Sequence, residues 1–186
     1  MAEQGKKGKK KWYGILASEY FRKIAIGEVP SYSSESLVGR RLWVNLAHLS
    51  GDLKDHSIRI RFEIKNIAGE KAETEVIGYD LLGTYIKRIV RPNKDRIDDS
   101  FIASSQDNIK LRVKMIYLTR CKVNNSVSRD IMKKGREEII GIFGKTSYMD
   151  VIGEIINNRL QKGLKGVLNK IYPLSNVDVK AIERLS

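Results

Sequence analysis

The sequence predicts an α+β fold with a mostly antiparallel sheet, possessing C-terminal helices and a basic N-terminal extension. Period-two alternation of apolar and charged residues marks strands through the first two thirds of the chain. Apolar residues at helical spacing mark the last third, and the two patterns do not alternate regularly, which argues against a parallel α/β sheet. Five or more strands of this length can curl into a barrel. With 186 residues of which 41% are apolar, the chain can bury a sizeable core.

The elements follow in order. Residues 1–11 carry Lys6, Lys7, Lys9, Lys10 and Lys11 against a single acid, Glu3, with almost nothing to bury; they read as a flexible extension. Residues 12–21 read as an ordered arm anchored by Trp12, Tyr13, Tyr20 and Phe21, and residues 27–36, serine-rich around Pro30, as a loop. A strand opens after Gly39, with Leu42, Val44 and Leu46 on one face and Arg41, Trp43 and Asn45 on the other. The cleanest strand is 57–67, where Ile58, Ile60, Phe62 and Ile64 alternate with Arg59, Arg61, Glu63 and Lys65. A turn at Gly69 returns the chain as a partner strand over 72–79.

Asp80 is placed to cap a short helix over 81–90, stopped by Pro92. Strands are expected at 98–105 and 109–122; in the second, Ile109, Leu111, Val113, Met115 and Tyr117 oppose Lys110, Arg112 and Lys114. A helix follows Ser126, and a second apolar stripe runs from Ile152 to Ile171, with Gly163 and Gly166 as candidate break points. Residues 12–186 are thus expected to form a single RNA-binding domain. It is β-rich over 37–122, helical over 126–172, and closed by a short strand at 174–183.

Charge narrows the function. Lys and Arg number 35 against 22 Asp and Glu, a formal net charge of +13. Such a surplus strains a compact fold and favours a polyanionic partner, because each neutralised phosphate releases counterions. No uncharged apolar run approaches the ~18 residues of a membrane span. The hydrophilic start lacks a secretory signal, and a single cysteine, Cys121, fits a reducing compartment.

Catalytic candidates fail on spacing. Gly144-Lys145-Thr146 resembles the end of a phosphate loop, but the leading glycine would fall at Ile139. His48 and His56 flank a turn with no nucleophile nearby, and the adjacent Asp98 and Asp99 face opposite sides of a strand. Cys121 has no second cysteine for zinc. Gly163-Leu164-Lys165-Gly166 has the form of a backbone-clamping RNA loop, but Leu164 belongs to the apolar stripe, which favours a helix bend. No enzyme, metal site, cofactor, small-molecule substrate or membrane partner is expected.

The RNA-contact candidates come from alternation and charge. They are the lysines of the extension (Lys6, Lys7, Lys9, Lys10, Lys11), Arg59 and Arg61, and Lys110, Arg112 and Lys114 on an outer sheet face. Arg120 and Lys122 continue that run. Asn125, Arg129, Lys133, Lys134 and Arg136 extend a polar, basic face into the first long helix. Trp12, Tyr13 and Trp43 lie beside Lys10, Lys11, Arg40 and Arg41, where aromatics can stack on unpaired bases while cations hold phosphates; buried anchoring is the alternative for each ring.

Several segments, taken in order, carry a family resemblance. They are Lys10-Lys11-Trp12-Tyr13, then Leu37-Val38-Gly39-Arg40 leading through Trp43-Val44 to Leu46-Ala47-His48-Leu49, and Gly78-Tyr79-Asp80-Leu81. Leu111-Arg112-Val113-Lys114 with Thr119-Arg120-Cys121-Lys122 follows, then Ile171-Tyr172-Pro173-Leu174 and Val177-Asp178-Val179. In this order and spacing the chain resembles the S-three-a-e family of archaeal and eukaryotic small-subunit ribosomal proteins. The resemblance implies a β-rich core with C-terminal helices and a structural constituent of the small (30S) subunit that supports translation. It also implies binding to small-subunit rRNA on the platform, near the messenger exit and the rRNA 3′ end. Neighbouring ribosomal proteins, and messenger RNA near the exit, would be its partners in the cytoplasmic ribosome. The chain ends soon after Arg184, without the longer tail of eukaryotic members, so an archaeal type is expected. The alternative is a non-ribosomal RNA-binding or RNA-processing factor.

Overall fold

The structure, a computed structural model, describes residues 9–185; Lys6 and Lys7 of the expected extension lie outside the described residues. Two compact units divide the chain, the first ending at Ile77 and the second beginning at Gly78.

The first unit contains strands β1 (Lys11–Leu16), β2 (Ala25–Ser31) and β3 (Arg41–Asn45), a one-turn helix α1 (Leu46–Ser50), β4 (Ile58–Ala68), and most of β5 (Lys71–Leu81). β1 pairs antiparallel with β2, from Lys11↔Ser31 to Leu16↔Ala25, and parallel with β5 through Gly14↔Lys71 to Leu16↔Glu73. β3 pairs antiparallel with β4, Arg41 facing Glu63 and Asn45 facing Arg59. β4 keeps its strict alternation, with Ile58, Ile60, Phe62 and Ile64 all buried. Tyr13, Ile15, Leu37, Ile64 and Ala72 form a core cluster, and Ile26, Val29, Leu42 and Ile67 pack on its margin.

Three expectations change here. Lys11 is strand rather than extension, because it already pairs with Ser31, and the ordered arm expected from Trp12 begins as the rest of β1. The serine-rich loop begins later than expected, since 25–31 form β2. Pro30 is tolerated there because β2 pairs on one side only. Leu46 does not extend β3: the Asn45 side chain accepts a hydrogen bond from Ala47 N–H (3.0 Å) and starts α1, which ends at Gly51 in the left-handed region (φ 75°).

The second unit takes the last residues of β5, then α2 (Gly83–Ile89), β6 (Arg96–Ser104), β7 (Lys110–Thr119), α3 (Asn125–Phe143), α4 (Tyr148–Ile156), α5 (Arg159–Leu168) and β8 (Leu174–Arg184). β7 lies between β6 and β8, and β8 also pairs with the end of β5, from Gly78↔Glu183 to Asp80↔Ala181; all these pairs are antiparallel. The helices lie C-terminal as expected. α3 packs on β6 and α5 on β8, and α5 also packs against α3 and α4. None of the described helices is long and apolar enough to cross a membrane. Among the described residues β2, β3 and β6 each pair on one side only, so the mostly antiparallel sheet stays open and no barrel closes.

Details differ from expectation for local reasons. Asp80 remains in β5, so α2 begins at Gly83 with Leu82 as its cap. α3 is capped by Asn124 rather than starting after Ser126. The second apolar stripe breaks at Asn158, which adopts φ 56°, and Gly163 and Gly166 lie inside α5. The segment they bound is therefore helix, not a phosphate-clamping loop. The strand expected at 174–183 is present as β8 and runs one residue further, but it lies inside the sheet between β5 and β7 rather than closing it at an edge. Register shifts against β7 between Lys114 and Met115 and between Leu118 and Thr119 disguise its alternation.

Gly135 is where α3 meets the sheet. A Cβ there would lie 3.0 Å from Tyr117 Cζ and closer still to its Oη. Tyr117 is fully buried, and burial drives its phenol well above the usual range. Gly135→Ala should therefore overpack this contact and lower unfolding free energy by about 1–3 kcal/mol. Gly141→Ala on the open side of the same helix has nothing within 4 Å and should raise it by up to about 1 kcal/mol. Denaturant titration of both variants checks the pair; equal effects would contradict the contact.

On β8, burial raises the Asp178 carboxyl above its usual 3.8, despite a hydrogen bond from Asn176 and the charge of Lys165. A raised acid in the folded state means that keeping it ionised weakens folding. That penalty is absent below about pH 3.8, the unfolded value, and grows as pH rises to the folded value. Asp178→Asn should be more stable than the native chain at pH 7, and the difference should shrink toward pH 4 in parallel denaturation curves.

Candidate nucleic-acid interface

Alternation on β7 places Leu111, Val113, Met115 and Tyr117 in the core and Lys110, Arg112 and Lys114 on the opposite face. Their cross-strand neighbours on β6 are Ser104, Ile102 and Ser100, none of them acidic. On the β8 side Glu183 sits opposite Arg112, and its Oε1 lies 3.2 Å from Lys114 Nζ. Lys114 is thus partly neutralised and half-buried, whereas Lys110 and Arg112 are exposed and make no ion pair with another described residue. Arg120 and Lys122 are exposed in the link to α3, which is fixed by Arg120 N–H donating to the Pro173 carbonyl (3.2 Å) and Val123 N–H to the Asp95 carboxylate (2.8 Å). Asn125 opens α3 in solvent, and Arg129 and Lys133 stand one turn apart on its exposed side. Lys134 differs: Glu138 (3.2 Å) and Glu137 (3.7 Å) bind it, and the Glu138 hydrogen bond raises its pKa.

The first unit carries a second basic face on β3 and β4. Trp43 is 44% exposed, with Arg61 directly across the ladder and Arg59 on the diagonal. Each guanidinium carbon lies 5.2 Å from the indole centroid, within cation–π range. Arg41 is held by Glu63 (2.8 Å), and Arg40 Nε donates to the Ser36 carbonyl (3.0 Å). At the start of β1, Lys9, Lys10, Lys11 and Trp12 are exposed, Trp12 by 61%. Tyr13 is only 6% exposed and belongs to the core cluster, because the alternation that turns Trp12 outward turns its neighbour inward. Its ring is an anchor rather than a stacking surface.

Two residues read differently once the structure is in hand. Tyr32 escapes notice in a serine-rich stretch, yet its exposed ring lies 5.3 Å from Lys10 Nζ. No sequence signal singles it out; it comes next to Lys10 only because Ser31, just before it, pairs with Lys11. Arg136, grouped by sequence with the basic helix face, is structural. Its guanidinium grips the Asp99 carboxylate through both oxygens, with Nε–Oδ2 at 2.7 Å and the second contact from Nη2 to Oδ1. The Asp99 side chain is 1% exposed, and the hydrogen bond from Arg136 to this carboxylate raises the Arg136 pKa. Asp98, on the other face, pairs with Arg96 at 2.7 Å, so the two adjacent carboxylates are separated by the strand as expected.

A sequence-family model described as the Ribosomal S3Ae family matches residues 2–186. The chain belongs to this family. The small ribosomal subunit protein eS1 of Nanoarchaeum equitans is 30% identical over 165 residues, covering 89% of this chain and 83% of the relative. The eS1 proteins of Desulfurococcus amylolyticus and Methanobrevibacter smithii are 29% and 28% identical over 170 residues, covering 91% of this chain and 80% and 88% of theirs. As an S3Ae member the chain has a structural role in the small subunit of the cytoplasmic ribosome, and its similarity to archaeal relatives fits the type expected from sequence.

For this S3Ae chain, Arg136→Gln should leave Asp99 buried without its cation. A fully buried broken pair costs about 3–5 kcal/mol, and half-exposure of Arg136 brings the expected loss nearer 2 kcal/mol. Arg129→Gln, on the same helix but with no ion pair among the described residues, should change unfolding free energy by less than about 0.5 kcal/mol. Comparable losses in the two variants would count against the structural assignment of Arg136.

Proposed function

We propose that the chain binds small-subunit rRNA through its basic sheet faces and the lysines at its N-terminus, on the platform near the messenger exit and the rRNA 3′ end. The observation that carries the binding reading is the outer face of β7. Lys110 and Arg112 point to solvent from a rigid inner strand, with uncharged neighbours on β6 and no ion pair among the described residues. Fixed, unneutralised cations lose little entropy on meeting phosphate and release the counterions that drive association. Arg61, Arg120, Lys122, Arg129 and Lys133 extend the same chemistry, Arg59 adds a further cation on β4, and Lys6, Lys7, Lys9, Lys10 and Lys11 add positive charge at the N-terminus. Arg40, Arg41, Lys114, Lys134 and Asn125 serve as flanking contacts, Arg41, Lys114 and Lys134 with their charge shared with acids. Neighbouring ribosomal proteins are further partners, with messenger RNA near the exit. The platform position is supported by the family resemblance.

The double variant Lys110→Gln/Arg112→Gln should weaken binding to a small-subunit rRNA fragment. It should also flatten the plot of log affinity against log salt by roughly 1.4–1.8, since each phosphate contact contributes about 0.7–0.9. Lys134→Gln should change the slope by much less, its charge being already shared with Glu137 and Glu138. An unchanged slope in the double variant moves the interface off β7. For position, Cys121 is exposed and is the single cysteine. A hydroxyl-radical source tethered there in reconstituted subunits should cleave the 3′ region of the rRNA, and cleavage confined to other regions would overturn the platform reading.

A further inference from the structure

The free edges of β2 and β3 frame a groove in the first unit. It is lined by consecutive residues of both strands, 26–29 of β2 and 42–45 of β3, with Ile15 on its wall and His48 of α1. Two strands contribute both faces of their side chains only where neither edge is covered, and among the described residues β2 pairs only with β1 and β3 only with β4. The volume, about 430 Å³, falls within the ~300–1,000 Å³ of small-ligand clefts. Ile26, Val29 and Leu42 supply apolar walls, and Glu28 and His48 supply polar groups able to meet a base edge. Trp43 belongs to this wall and also carries the two guanidiniums of Arg59 and Arg61, 5.2 Å from its ring.

We infer that this groove holds one unpaired RNA nucleotide, its base stacked on Trp43 and its phosphate met by Arg59 and Arg61. A flat apolar cleft with an aromatic wall accepts a π-face, and cations fixed at that wall accept the adjoining backbone. A duplex cannot enter, because its bases are already stacked and their edges occupied. An extended peptide would also find free strand edges here, but two arginines gathered on the indole favour a polyanion over a neutral strand. The inference rests on the proposed RNA binding and adds to it a single-strand-specific site, distinct from the phosphate contacts of β7.

The test uses the full chain with Trp12→Phe, which leaves Trp43 as the only tryptophan. A short oligoadenylate RNA should quench Trp43 fluorescence, whereas a blunt RNA duplex of equal length and the same oligomer with abasic residues should not. Trp43→Leu should weaken oligoadenylate binding by at least about fivefold, and Trp43→Phe should recover part of the loss. Neither should alter the salt slope set by Lys110 and Arg112. Equal quenching by duplex and single strand overturns the inference. So does quenching by a neutral extended peptide in place of RNA. Absent quenching with binding still sensitive to Lys110→Gln/Arg112→Gln sinks this site while leaving the broader RNA-binding reading intact; loss of both would remove that reading as well.

Discussion

The second unit depends on the packing of α3 against the inner face of β6 and β7. A strand can present cations to a partner only if its other face is held, because a slip of one residue would exchange the two sets of side chains. Two contacts fix that register. Gly135 lets the helix backbone come down onto the Tyr117 ring, and Arg136, the next residue, reaches Asp99 on β6. One is steric and the other ionic, and adjacent residues supply both. The outward direction of Lys110 and Arg112 is the consequence.

Exposed charge on each unit is therefore of two kinds. Lys65–Glu75, Arg41–Glu63, Lys114–Glu183 and Lys134 with its two glutamates tie basic residues to acids at the surface, where each pair is worth little in stability. In the proposed RNA-binding reading, those cations are already engaged by acids. Lys110, Arg112, Arg129 and Lys133 stand exposed with no ion pair among the described residues. Net charge alone does not distinguish the two sets; the cross-strand and one-turn neighbours do, and those neighbours are a property of register.

Much of this is legible in the sequence, and the exceptions have physical causes. The alternation of β4 and β7 is readable because each buries an uninterrupted row, Ile58 to Ile64 and Leu111 to Tyr117. β8 is harder, because two register shifts and the polar Ser175, Asn176 and Asp178 interrupt its period, so only Val177, Val179 and Ile182 stand out. β2 hides behind Pro30, which reads as a loop signal unless the strand is known to be an edge. The stop of α4 at Asn157 and Asn158 loses to two glycines on paper, because a left-handed asparagine leaves a weaker sequence mark than glycine. At the site, sequence identifies which residues are cationic but not which are already paired. Arg136 and Arg129 look alike until Asp99, 37 residues away, is brought beneath one of them.

The open edges and the basic surplus also bear on each other. Exposed strand edges invite pairing with other chains, and proteins commonly guard them with charge or proline. Here β2 contains Pro30, and β3 begins beside Arg40 and Arg41. A net charge of +13 adds repulsion between copies at long range. In the free chain, then, the same cations that weaken the compact state also keep the groove between β2 and β3 from being filled by a second molecule. A polyanion is attracted rather than repelled by the same charge, so in the proposed reading long-range attraction to phosphate acts before short-range stacking on Trp43.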